Sequence, residues 1–266
     1  MNEAQRFIRC VLPGIASLML FALYVFLSMP SKLDKLLTKQ DVDTAGVLAL
    51  LLGSGGLGYV LNIVHHFLYH TCAYRRLGLA VDFHPTLCQA QEEGKLEFAD
   101  ADGKVLDKEV VSNTGSIEAW ALVTVAWHAG AKNQDAGAVD RTDKRLASLW
   151  DIFHASGAML IGSLFAAIFG LYFYVWANVH TSGRFWVTGI IAIVVIVVMY
   201  ANTRRLARMT GVAARGAFWA ILDCLQDPPL RIRYCPDSEA ALLINTAGAK
   251  GAARTLKSPR VGIFAL

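Results

Sequence analysis

The residues with chemical reach in this chain gather at the end of an oily run, "GYVLNIVHHFLYH", Gly58 to His70. His66 and His70 are four apart and so share one helical face, and Asn62 lies one turn earlier on that face. His154 stands just before a later apolar block. Two imidazoles at i, i+4 can hold a transition metal, and a third would strengthen the site. A catalytic metal or haem centre would ask for more, however: a carboxylate set, or histidines deep in opposing helices. Asp151 is the acid nearest His154. The pattern therefore favours interfacial anchoring or polar packing, with no metal and no cofactor assigned. Asn62 carries a different message. An amide within an apolar segment turns toward a helix bundle or a wet cavity, so Asn62, His66 and His70 are expected to line a polar cavity.

The elements that must position these residues are membrane helices. Of the 266 residues, 55% are hydrophobic and 17% charged, with a mean hydropathy of +0.43. Soluble domains run nearer a quarter charged. The apolar residues are gathered into four blocks: 11–29, 45–69, 155–177 and 185–201. Each is about the length that crosses ~30 Å of hydrocarbon. The first block follows Arg6 and Arg9 but is too long for a signal peptide, and "FLSMPSKLDK" is a poor cleavage site. It is read as a retained helix. The expected class is thus a mainly α integral membrane protein. It has four transmembrane helices and a small cytoplasmic α+β domain built from the central loop and the tail.

Orientation follows the basic residues. Arg75 and Arg76 follow the second span, Lys144 and Arg145 precede the third, and Arg204, Arg205 and Arg208 follow the fourth. Placing these inside puts both termini in the cytoplasm of a bacterial cell with a multi-pass inner-membrane protein. Lys32, Lys35 and Lys39 in the first outer loop dissent mildly. The chain then divides into 1–70, 71–154, 155–202 and 203–266. The loop carries 9 basic and 13 acidic side chains, the tail 10 basic and 4 acidic. Segments of opposite sign on one side of the membrane are expected to pack together. Within the loop, alternation around Asp102-Gly103 predicts a hairpin, and "GSIEAWALVTVAWHAG" predicts a helix capped by Ser116. From Thr142 a helix runs on into the third span. In the tail, "GVAARGAFWAILDCLQ" reads as a short helix, "PLRIRYC" as a strand, and "INTAGAKGAARTLKSPR" as loosely ordered.

Small residues suggest how the spans meet. Ser54 and Gly58 are four apart, and Ala158, Gly162, Ala166 and Gly170 form one continuous small stripe. Helices in lipid associate through such close contact. The stripe serves either packing inside one bundle or a subunit interface, and the interface reading makes the protein a homo-oligomer. The fourth span is bulky all round, as a lipid-facing helix should be. Arg204, Arg205 and Arg208 are read as contacts to anionic headgroups, with a phosphate site shared with Arg231 and Arg233 as the alternative. "GSGGLG", Gly53 to Gly58, lies inside an apolar helix and is no dinucleotide loop. Five cysteines without a Cys-x-x-Cys pair suit reduced thiols.

No catalytic constellation stands out, so no enzymatic activity is assigned. The expected function is a homo-oligomeric inner-membrane effector or channel, gated by its cytoplasmic domain, such as the membrane-acting arm of a stress or phage-defence system. The alternatives are a scaffold or sensor anchoring a cytoplasmic protein partner, and a metal- or haem-dependent membrane enzyme. Lipid is the expected surrounding partner, and no specific nucleic acid is predicted.

Overall fold

Long runs without proline give long helices, and two of them carry the architecture. The computed structural model describes residues 7–28, 44–99, 102, 104–105, 116–131, 135–176, 183–224, 229–233 and 243–245. A π-helical turn, Phe7–Val11, leads into α1, Leu12–Ser28. Next come α2, Thr44–Tyr69, the short α3, Cys72–Arg76, and α4, His84–Glu92. Strand β1, Leu96–Ala99, precedes α5, Ser116–Ala131. Then come α6, Ala136–Trp176, and α7, Gly183–Cys224, followed by strands β2, Leu230–Arg233, and β3, Leu243–Asn245. The structure is mainly α. Three of the described helical segments are long and apolar enough to cross a membrane: Arg9–Leu27, Ala136–Tyr172 and Gly183–Cys224.

The chain forms two compact units. One comprises Met1–Ala80 and Ala147–Met209, the other Val81–Leu146 and Thr210–Leu266. These boundaries differ from those drawn at the span ends. Helices α6 and α7 do not stop where hydrophobicity stops, so each belongs partly to both units. The short helix expected after "NTRRLAR" is the last part of α7. No proline interrupts Thr203 to Cys224, and Gly211 and Gly216 are tolerated within it.

In the first unit α6 is the shared element. Gly162 lies against the Ser17 side chain and Leu61, and Gly170 against Tyr24. Ala158 is fully buried with Leu61 and Ile161, and Ala166 with Tyr24. The stripe Ala158, Gly162, Ala166, Gly170 is therefore covered inside one chain by α1 and α2. Of the two readings of the stripe, packing inside one bundle and a subunit interface, these contacts are those of the first: the small side chains seat neighbouring helices of the same chain. Helices α1 and α2 meet still more closely. A Cβ on Gly14 would run into the Ser54 carbonyl, and one on Gly58 into the Cys10 carbonyl. Only glycine allows backbones that close.

Two polar rungs clip α6 to α7. At one end Ser156 Oγ lies 2.9 Å from Thr203 Oγ1, and Asn202 Nδ2 donates to Ser156 Oγ at 3.0 Å. At the other, Tyr174 Oη lies 2.6 Å from Thr188 Oγ1. Along α6 the rungs are about 27 Å apart at ~1.5 Å per residue, close to the ~30 Å of a hydrocarbon core. Between them Ile190, Ile193, Val194 and Val197 of α7 are each more than half exposed, as are Ile168, Phe169 and Tyr172 of α6. A continuous apolar face of this size is foreign to a soluble surface and natural against lipid.

The second unit holds a three-stranded sheet in the order β1-β2-β3. β1 pairs in parallel with β2, setting Phe98 opposite Ile232, and β2 pairs antiparallel with β3. Leu96, Phe98, Leu230 and Ile232 are buried, while Arg231 reaches across to Glu97 with Nη2 to Oε2 at 2.7 Å. Lys95 pairs with Asp223 of α7, which with Glu93 holds the lysine above its ordinary value despite some desolvation. Loop and tail thus meet in one sheet. The predicted hairpin is seen only as a bridge between Ala99 and Val105, and its second strand lies outside the described residues. Most of the first outer loop, most of the turn "NVHTSGR" and most of the basic, Gly/Ala-rich tail segment lie outside them too.

Alanine scanning of the glycines tests the helix contact. Gly58→Ala should lower thermal stability in detergent by ~1 to 3 kcal/mol, the usual range for overpacking. Gly56→Ala, with nothing within 4 Å of its added carbon, should be neutral or stabilising. Equal stability of the two variants would contradict the close approach.

Candidate functional site

Arg9 enters the bundle from the π-helical turn and meets α2 and α6. Its Nη2 lies 2.6 Å from His66 Nε2, and its Nη1 lies 3.6 Å from Asp151 Oδ1. A guanidinium has no lone pair to offer, so Arg9 is the donor and the His66 nitrogen the acceptor. His66 is thereby fixed as the neutral form with its proton on Nδ1.

Around this pair the rings pack face to face. His66 stacks on His154 with centroids 4.3 Å apart and planes at 28°. Trp150 also stacks on His154, at 5.6 Å and 22°. His65 meets His154 edge-on at 5.2 Å and Phe153 at 5.7 Å. The short helix α3 sets Tyr74 beside this group. Thr71 caps α3 by accepting from the Tyr74 amide at 3.3 Å. Gly78, with a φ of +69°, ends it: Gly78 N–H bonds the Arg75 carbonyl and Leu79 N–H the Tyr74 carbonyl. Tyr74 Oη then stands 3.4 Å from His65 Nδ1. Burial pushes the Tyr74 phenol up to about 12, so it stays protonated at neutral pH and can donate.

His65 is wholly buried and sits against Gly157 of α6, where any Cβ would strike the ring. Asn62 is also buried, one turn away on α2. Asn62 Oδ1, His65 Nε2, His154 Nδ1 and Arg9 Nε have no hydrogen-bond partner among the described residues. A buried polar atom left without a partner costs about 1 to 3 kcal/mol. Three of the four belong to residues of the ring cluster and the fourth lies one turn away on α2, and buried polar atoms of this kind call for an explanation.

The sequence pattern pointed to Asn62, His66, His70 and His154. The structure joins His66 and His154 directly. His70 lies at the rim, its ring 5.0 Å from Tyr69, and burial, with Arg75 as a smaller cause, lowers its pKa. His65, Arg9 and Tyr74 were missed as members. His65 is off the His66 face, and the other two arrive from distant segments. Among the described residues no group of three or more His, Cys, Asp and Glu is placed to hold a metal ion. Arg9 occupies the Nε2 side of His66, and Trp150 stacks over the face of His154. Arg204, Arg205 and Arg208 are exposed on α7, beyond its apolar part. Arg231, once a possible partner for them in phosphate binding, is paired with Glu97 in the other unit. No protein-family model matches the chain, and no curated protein or solved structure is significantly similar to it.

A double-mutant cycle checks the packing of the buried ring. Gly157→Ala should destabilise by ~1 to 3 kcal/mol, because the new methyl meets His65. In a His65→Ala background the same change should cost much less, leaving a coupling energy of at least ~0.5 kcal/mol. Additive effects in thermal unfolding would show that ring and glycine do not touch.

Proposed function

We propose that this chain is a four-span, multi-pass protein of a bacterial inner membrane, both termini inside, that acts as an effector or channel passing protons or small ions. On this reading α2 is the fourth span, added to the three helices long enough to cross. The unit formed by loop and tail is the cytoplasmic controlling domain. Arg204, Arg205 and Arg208 then rest on anionic headgroups, where basic residues at the inner ends of spans belong.

The observation that carries the reading is the buried cluster of Asn62, His65, His66, His154, Arg9 and Asp151 inside an otherwise apolar helical bundle. Ionisable groups within membrane helices are expensive and characteristically mark proton relays or ion paths. Here the imidazoles are within ring contact of one another, and two of their nitrogens, His65 Nε2 and His154 Nδ1, have no hydrogen-bond partner among the described residues. Such a group can accept and pass a proton, or hold the water that does. A homo-oligomer no longer draws support from the small stripe, since α1 and α2 fill it. A single bundle with its own polar cluster is the simpler form of the proposal.

Purified protein in liposomes tests it. Vesicles holding a pH-sensitive dye should equilibrate protons or potassium faster than empty vesicles. Asn62→Leu should slow that flux roughly tenfold, equivalent to ~1.4 kcal/mol on the barrier, without loss of the folded protein. Wild-type vesicles no leakier than empty ones, with the second unit present or truncated, would favour a scaffold that holds a partner at the membrane.

A further inference from the structure

We propose that the Arg9–His66 contact is a proton-operated latch that holds the start of α1 against α2 and α6 and releases it on acidification. The inference rests on the proposed function only for its effect on ion flux. The latch itself follows from hydrogen-bond chemistry.

Arg9 can only donate, and it donates to His66 Nε2 at 2.6 Å. That nitrogen must therefore be bare. When a proton binds there, two donors and two positive charges face each other across the same short gap, and the bond becomes a repulsion. Among the described residues no alternative acceptor for Arg9 is held as close. Asp151 Oδ1, at 3.6 Å from Nη1, is a looser partner, and Arg9 Nε is already without one.

The titratable neighbours are basic or neutral with one exception, Asp151. From α2 come His65 and, at the rim, His70; from α3, Tyr74 and Arg75; from α6, His154 and Asp151. From α7, Leu206 and Ala207 pack on this side, and Arg204, a further positive charge, lies by Gly78 at the end of α3. Asp151 is the sole carboxylate in the set, and one carboxylate balances Arg9 alone. A proton on His66 thus leaves a surplus positive charge in a buried place, stacked against His154. The cluster is neutral only while its histidines are.

The element that would move is irregular already. Arg9 lies within the π-helical turn Phe7–Val11, which precedes the regular helix at Leu12. Single π turns are rare, and they recur where function needs a local change of register. Once Arg9 lets go, this turn can close to α geometry, swinging the side chain away from His66. The glycine contacts of Gly14 with α2 lie further along and keep α1 attached.

The test is a distance measured between nitroxides at positions 7 and 67, using Phe7→Cys and Phe67→Cys in the full chain otherwise without cysteine, in lipid nanodiscs. Both phenylalanines are exposed, and they flank Arg9 and His66. Pulsed electron resonance from about pH 8 to about pH 3 runs from well above to well below the ordinary imidazole value of roughly 6.5. The expected result is one short distance at high pH and a second, longer one that becomes the majority on acidification. With His66→Gln the short distance should persist at every pH, because the amide oxygen still accepts from Arg9 and cannot be protonated. Asp151→Asn should leave the acid response in place. A distribution unchanged with pH would overturn the latch, and so would a His66→Gln protein that responds like the parent. Flux through liposomes read in parallel separates the two claims: opening without any change in flux keeps the latch and removes the channel reading.

Discussion

Helices in lipid gain nothing by hiding oil from oil, so their arrangement is set by how closely backbones can approach. In this protein that constraint is met on α6. The residues Ala158, Gly162, Ala166 and Gly170 leave room for Ser17, Leu61 and Tyr24. Gly14 and Gly58 let α1 and α2 cross almost backbone to backbone. Gly157, one residue before the stripe, holds the His65 ring. The glycines that fix the packing thus also fix the polar cluster. Enlarging them would move helices and imidazoles together.

The cluster is costly to keep. An apolar set of the same volume would pack without unpaired nitrogens, and mutational experience says such replacements are often neutral or stabilising. Retaining a guanidinium, a carboxylate and three imidazoles at a bundle end is a reason to look for work done there. Their chemistry suits the proton exchange proposed above. Arg9 dictates the tautomer of His66, Tyr74 can donate to His65, and His154 lies between His66 and Trp150 with one nitrogen unpartnered.

Much of this was legible in the sequence, for definable reasons. Block length located the helices, since an apolar run of span length has few other outcomes. The helix from Thr142 into the third span followed from unbroken helix-forming sequence, and it starts slightly earlier, at Ala136. The bulky fourth span read as lipid-facing, and Ile190, Ile193 and Val197 are exposed. The strand in "PLRIRYC" was visible, but its partner was not. Strand β1 pairs in parallel with β2 across more than a hundred residues, where local alternation suggested a hairpin. The stripe on α6 was visible as a contact surface, but a sequence does not say whose helix fills it. His65, Arg9 and Tyr74 were hidden because the site is made by three segments far apart in the chain. Helical spacing finds neighbours only within one helix.

The central claim is that α6 packs its small face against α1 of the same chain. Leu20 of α1 packs on the cluster containing Ala166 of α6. Leu20→Cys with Ala166→Cys, in a chain otherwise free of cysteine, can be oxidised in native membranes. The account predicts a bond formed within one chain, seen as faster-running monomer at every expression level. Dimer-sized product as the main species would contradict it, and would return the small face to an interface between chains.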